Sequence, residues 1–180
     1  LAPLPEPGKK SDSVEKAEEF YKRATMLVNQ TLKTDTENTD LLRLRANLFA
    51  NLGLLLANTT RLGPAEQNST RAIDEFQKLA ENPGEPKDIE SLAKARLALA
   101  RLLIRQGKSK EAIATLEEAL KAYRQLVNSD EDSTTYLSGL ADTRVTLGNA
   151  LHATGENDRQ LSFYNCLLYT SDAADEVWGV

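Results

Sequence analysis

The 180-residue chain has one cysteine, one tryptophan, one histidine and one methionine. Aromatic residues make up only 6%, which argues against a β-sandwich or barrel interior, while leucine and alanine are abundant and favour packed helices. No apolar run approaches the roughly 20 residues that a membrane-spanning helix needs. The opening Leu1-Ala-Pro-Leu-Pro-Glu-Pro has three prolines and no apolar core, so it does not read as a signal peptide. Leu at position 1 in place of Met suggests a start further upstream. No catalytic constellation and no strand-like alternation is visible. What is present is 41% apolar and 27% charged residues. That suffices for a buried core and is too apolar for a disordered chain. The length suits one domain or one short repeat array.

The last fifteen residues stand apart. Cys166-Leu-Leu-Tyr-Thr-Ser171 can be written TGT CTC TTA TAC ACA TCT, and Asp172-Ala-Ala-Asp-Glu176 as GAC GCT GCC GAC GA. This string resembles the translation of a transposon-end sequencing adapter, with an index giving Val177 and Trp178 and a constant stretch giving Gly179-Val180. Residues 166–180 are therefore expected to be a non-native tail, and both ends of the chain to be cuts in something longer. The only cysteine and the only tryptophan fall in that tail, so neither informs on redox compartment, metals or stacking. The tail also holds Asp172, Asp175 and Glu176. Without it, 22 basic side chains face 24 acidic ones, a formal −2 instead of −5. Near-neutral charge gives no electrostatic case for nucleic acid or for a membrane surface.

An internal repeat organises the rest. Leu52-Gly53-Leu54-Leu55-Leu56 recurs as Leu99-Ala100-Arg101-Leu102-Leu103, offset by 47, and as Leu147-Gly148-Asn149-Ala150-Leu151, offset by a further 48. Ala46, Ala93 and Ala141 keep this register. So do Ala65 with Ala112 and Ala72 with Ala119, and one unit earlier Ala17, Tyr21 and Ala24 answer to Ala65, Ser69 and Ala72. Each unit reads as two helices. Leu92 to Leu103 supply a broad apolar face that stops at Gly107-Lys108. Ser109 is placed to cap the next helix, whose face is Ala112, Ile113, Leu116, Ala119, Leu120, Tyr123 and Leu126. The other breaks fall at Thr59–Gly63, at Asn82-Pro83-Gly84-Glu85-Pro86 and at Thr154-Gly155-Glu156-Asn157. Helices are expected near 12–33, 39–58, 64–81, 87–106, 109–128, 133–153 and from 157 on, behind a Pro-rich linker at 1–11. Gly53, Ala100 and Gly148 sit where two helices cross closely, and Leu56, Leu103 and Leu151 fill the space one turn away.

At these positions the chain resembles the tetratricopeptide repeat family. The match runs Leu52-Gly53-Leu56-Ala65-Ala72, then Leu99-Ala100-Leu103-Ala112-Leu116-Ala119, then Leu147-Gly148-Leu151-Tyr164, with Tyr21 at the aromatic position of the leading helix. It departs from the family where Phe49, Arg96 and Arg144 replace its Trp, and Ser69 and Leu116 its aromatic. Gln160 replaces an Ala, and the final Pro is missing. The period also exceeds the usual roughly 34 residues, because the helices run longer. HEAT or armadillo-like pairs, with periods of roughly 40–47, are the structural alternative. The resemblance covers residues 12–165 and implies an all-α fold, a right-handed α-solenoid of antiparallel helix pairs with about seven helices. Long-period units of this cadence look like arrays attached to bacterial serine/threonine kinases. The chain itself has no Gly-rich loop, catalytic Asp loop or Asp-Phe-Gly.

Other candidate chemistry is thin. Gly107-Lys108-Ser109 resembles the end of a phosphate loop, but the loop's earlier Gly would be Leu102, inside a helix. A helix–turn–helix stop is the simpler reading. His152 lies either on a ligand-facing surface or in an ordinary half-exposed place. Asn29, Asn58 and Asn68 each open a glycosylation-type triplet, which chance supplies in a chain rich in Asn and Thr. Function is left to the groove. In the family the first helix of each pair lines a concave face that takes up a partner segment. The resemblance places Asn47, Leu54, Lys94, Arg101, Arg105, Asn149 and His152 there. Lys94, Arg101 and Arg105 could hold an acidic or carboxylate-bearing segment by charge-assisted hydrogen bonds, or could simply be solubilising charges.

The expected function is thus a non-enzymatic protein–protein interaction scaffold, without cofactor or metal and without nucleic-acid or membrane contact. The alternative is a sensory or regulatory region of a larger signalling enzyme such as a bacterial serine/threonine kinase. That leaves the compartment open, cytoplasmic or, for a membrane-anchored parent, extracytoplasmic. Long-read sequencing of the source locus across codon 165 tests the adapter reading. A continuing helical pattern after Asn165 is expected, and a genome that encodes Cys166–Val180 as written overturns it.

Overall fold

The computed structural model describes residues 7–81 and 84–155, and for residues 7–11 the backbone alone. Six helices occupy them: α1 (Pro7–Thr31), α2 (Thr39–Asn58), α3 (Leu62–Glu81), α4 (Pro86–Arg105), α5 (Ser109–Ser129) and α6 (Thr134–Thr154). No strand occurs among the described residues. The helix expected from residue 157, with Gln160 and Tyr164, and the tail 166–180 lie outside them.

The starts of α1 and α3 differ from expectation, and so does the cap of α5. Helix α1 starts at Pro7, so its first turn falls within the stretch 1–11 expected to be linker. Proline suits the first helical position, where its missing N–H would have had no intrahelical partner anyway. Helix α3 starts at Leu62, so the expected break Thr59–Gly63 ends two residues early, and Pro64 sits in the first turn, where a missing N–H is tolerated. Ser109 is the first residue of α5 and not its cap. Lys108 holds the cap position, without a side-chain cap bond. Asn38 does cap α2, its Oδ1 accepting the Leu41 N–H at 3.0 Å.

The turn between the two helices of a unit repeats one backbone device. Gly107 and Gly155, one period apart, take φ of +77° and +76°. One period before Gly107 stands Thr60, with φ +62°, the only non-glycine at positive φ among the described residues. A β-branched side chain in the left-handed region clashes with its own backbone.

Consecutive helices pack against each other along the whole chain, and α2, α4 and α6 also touch in series. The backbones of α1, α3 and α5 do not approach one another closely. One layer is therefore close-packed and the other spread, as on the inside and outside of a bend. This is an α-solenoid of antiparallel pairs. Leu56, Leu103, Leu151, Ala65, Ala112, Ala72 and Ala119 are all buried, as the repeat pattern requires. Ala141 keeps the register of Ala46 and Ala93 yet is exposed among the described residues.

Polar ties join residues about one period apart. Arg43 donates from Nε and Nη2 to both oxygens of Asp88, at 2.7 and 2.9 Å, and Asp88 is 0% exposed at the start of α4. Asp88 holds the Arg43 guanidinium protonated more firmly still, with Glu85 and Asp40 adding to it. Arg105 donates to the Ala57 carbonyl at 3.0 Å, Gln106 to the Leu62 carbonyl at 3.2 Å, and Lys108 to both Glu66 oxygens at 2.9 Å. The Lys108 side chain of the Gly107-Lys108-Ser109 turn thus clasps Glu66 near the start of α3. Glu66 is held below the usual carboxylate range by Lys108 first and then Gln106. Glu18 of α1 is lowered in the same way by Lys22 and then by Arg61 of the α2–α3 turn.

Two outcomes follow. Thr60→Gly should raise stability by about 1 kcal/mol, the left-handed penalty less glycine's extra unfolded-state entropy. A lower urea midpoint would refute the strain. A carboxylate whose folded pKa is depressed stabilises fully above its unfolded value, here near 4.5, and loses that contribution as pH falls through the folded value. Glu66→Gln should therefore have a lower urea midpoint than the parent at about pH 6, with the gap closing as pH falls below about 4.5. A gap independent of pH would show that the Lys108 clasp contributes nothing through charge.

Candidate functional site

The close-packed layer presents one face to solvent, and all seven groove positions reach it. Asn47 and Leu54 of α2, Lys94, Arg101 and Arg105 of α4, and Asn149 and His152 of α6 are all exposed, Leu54 at 57%. The structure brings two of them together. Lys94 and Arg101 line a groove of about 510 Å³ between α4 and α6, with Tyr123 and Asp142. Leu54 lines a separate apolar crevice of about 40 Å³ between α2 and α4, with Ala50, Ala57 and Ala98. Asn47, Arg105, Asn149 and His152 line neither groove.

The three cations each have a partner within the chain. Lys94 pairs with Glu90 one turn earlier on α4, and Arg101 reaches Asp142 of α6 at 3.1 Å. Arg105 closes the end of α2 through the Ala57 carbonyl. Both ion pairs are half-exposed, where such pairs hold weakly. Their charges are nonetheless balanced locally, so the face is polar and not strongly basic. Asn47 donates back to the Arg43 carbonyl at 2.9 Å.

Tyr123 is the residue that sequence spacing missed, because its place on the apolar face of α5 reads as core alone. It is core, 1% exposed, and it also forms part of the groove lining. Gly139 of α6 makes room for the ring: a Cβ there would lie 2.2 Å from Tyr123 Cε1. Burial pushes the phenol up to about 12, with Glu90 and Asp142 adding to the shift and Arg101 opposing it. The hydroxyl stays protonated and makes no hydrogen bond to any described residue. The side chains of Thr134, Thr135 and Ser138, at the start of α6, line the same groove. The one signal in the sequence was a hydroxyl-bearing aromatic facing a glycine on the neighbouring helix.

The spread layer carries a larger groove, of about 640 Å³, between α1 and α3. Its floor is the α2 side chains Phe49, Leu52 and Leu56, and its rim holds Lys22, Lys33, Arg61 and Arg71 with the one carboxylate of Glu18. No sequence argument singled it out, since α1 and α3 are neighbours only across α2. Among the described residues no group of three or more His, Cys, Asp or Glu could hold a metal ion. No described helix is long and apolar enough to cross a membrane.

Residues 93–126 match the family model described as Tetratricopeptide repeat. The matched stretch runs from the middle of α4 to the last turns of α5, about one ordinary 34-residue unit. The additional helical turns of the longer period fall outside it. The crystal structure of BtubC (BKLC) from P. vanneervenii is similar, at 18% identity and a TM-score of 0.51, covering 93% of this chain and 76% of that one. At that identity the likeness is one of fold. No curated protein sequence matches the chain.

Proposed function

Taking the chain as a helical-repeat protein of the tetratricopeptide family, whose repeats generally mediate protein–protein interaction and are generally non-catalytic, we propose that it is a scaffold. Its close-packed face takes up an extended segment of a partner protein. The observation that carries this reading is the groove of about 510 Å³ between α4 and α6, where Tyr123, Thr134, Thr135 and Ser138 line the wall beside Lys94 and Arg101. The Tyr123 hydroxyl has no hydrogen bond to a described residue, so a ligand that supplies an acceptor gains one there. An extended peptide carries such acceptors along its backbone, and the hydroxyls of Thr134, Thr135 and Ser138 offer further bonds beside it.

Lys94 and Arg101 then act as adjustable rim charges, each able to leave its half-exposed partner for a polar side chain of the segment. The crevice beside Leu54 receives an apolar side chain further along. Asn47, Arg105, Asn149 and His152 flank the path. A carboxylate clamp is the weaker version of this reading, because Asp142 and Glu90 already occupy the cations it would need.

Peptides selected from a displayed random library against the whole chain provide the test. Tyr123→Phe keeps the ring and removes the donor, so it should leave thermal stability unchanged and weaken the selected peptides about fivefold, the worth of one hydrogen bond. Leu54→Glu should weaken them too. Selected peptides that bind both variants as they bind the parent would overturn the assignment.

A further inference from the structure

The repeat supplies an internal control for the outer groove. One period after the α1–α3 groove, a pocket of about 220 Å³ between α3 and α5 keeps four of its aligned positions, Gln77, Glu81, Arg96 and Glu118, and lies further toward the end of α3. Two aligned positions differ in chemistry. Phe49 on the groove floor becomes Arg96, and Arg71 on the wall becomes Glu118. Arg96 donates to Gln77 Oε1 at 2.7 Å and faces Glu118 at 4.0 Å, so the later groove is spanned by a polar bridge. In the earlier groove the Arg71 guanidinium lies 5.9 Å from the centre of the Phe49 ring. On the floor Phe49 is half-buried above the buried Leu52 and Leu56, and Met26 adds an apolar side chain, 62% exposed, from α1.

Charge sets this groove apart from the rest of the chain. Four basic side chains surround it, against one carboxylate. That carboxylate, Glu18, is already shared by Lys22 and Arg61. Lys33 and Arg71 have no carboxylate partner among the described residues. Without the tail 166–180 the chain is near neutral, at a formal −2. An acidic ligand is thus drawn to this groove by its local charge and not by the molecule at large.

Shape narrows the class. The wall formed by α1 and the turn after it runs from Glu18 to Lys33, about 22 Å at ~1.5 Å per residue. An extended strand laid on this floor would press its N–H and C=O groups against Phe49, Leu52 and Leu56, where no partner waits. A helix satisfies its own backbone and needs only an apolar face toward the floor and carboxylates toward the rim. We propose that the groove between α1 and α3 docks an acidic amphipathic helix of a partner protein, on the face opposite the peptide groove.

The test uses a fluorescein-labelled synthetic peptide of about 15 residues, the length of the groove at ~1.5 Å per residue. It carries leucine at i, i+3, i+4 and i+7 and glutamate elsewhere, and its anisotropy is read against the whole chain. Binding should weaken as salt is raised, and the twin with lysine for glutamate should not bind. The double variant Lys33→Glu with Arg71→Glu changes only exposed side chains and should lower affinity at least about tenfold. Met26→Glu, also exposed, should lower it independently. Leu54→Glu, on the opposite face, should leave it unchanged, so this result and that of the peptide groove are read separately. Failure of the acidic peptide to bind, retention of affinity by the double variant, or equal loss with Leu54→Glu would each overturn the proposal.

Discussion

The structure depends on how closely the two helices of each pair approach. At Gly53 a methyl group would sit 2.7 Å from Ser69 Oγ and 3.3 Å from the Ala65 carbonyl oxygen. Real side chains do not tolerate the first of these distances unless the hydroxyl turns away. That contact sets the spacing between α2 and α3, and Ala100 with Ala112 and Ala119 sets it again between α4 and α5, all three fully buried. With the backbones that close, only the positions one turn away have room, and Leu56, Leu103, Leu116 and Leu151 fill them. A pair built so tightly has one broad apolar flank left over. It can bury that flank only on the next pair, and this makes the chain an array and not a bundle.

Stacking pairs by apolar area alone would leave their register loose, because leucine faces slide past one another at little cost. The polar ties remove that freedom. Arg43–Asp88, Arg105–Ala57, Gln106–Leu62 and Lys108–Glu66 all join residues 42 to 48 apart, close to one period. Asp88 is the most constrained of them. A buried carboxylate stripped of its guanidinium would cost about 3–5 kcal/mol, so Arg43 and Asp88 select one stacking over its neighbours more than they add net stability. Asp88 also stands in the first turn of α4, where a negative charge suits the helix dipole.

The features legible in the sequence share one property: they lie on a single helix or recur at one offset. The helix pairs, the small residues at the crossings and the large ones beside them all follow from spacing within the chain. The features that escaped need to know which neighbour a side chain meets. The spacing of Arg101 showed that it faces out and gave no sign of Asp142 across the gap. Apolar periodicity assigned Tyr123 to the core correctly, yet a phenol has two ends, and only the position of Gly139 reveals where the oxygen emerges. Lys108 looked like a turn residue, which it is, while its bond to Glu66 spans 42 positions. The start of α1 was missed for a local reason, proline being read as linker where it serves as the first residue of a helix.

Departures from the repeat carry more functional information here than the repeat itself. Positions that hold the array together are free to vary only within narrow limits of size, which is why Ala65 and Ala112, or Leu56 and Leu103, agree. Phe49 and Arg96 occupy one register and differ completely in chemistry, as do Arg71 and Glu118. The two changes are coupled. An arginine on the floor bridges to both walls, through Gln77 and toward Glu118, while a phenylalanine there lies beneath the Arg71 guanidinium. Neither arrangement is needed to hold α2 to α3 or α4 to α5, since the small-residue crossings do that. The apolar surface of Phe49 and Met26 forgoes the polar bridge formed one unit later and remains in part accessible to water, a cost of the order of 25 cal/mol for each Å² left uncovered. Covering that floor with an apolar surface of complementary charge recovers the same free energy.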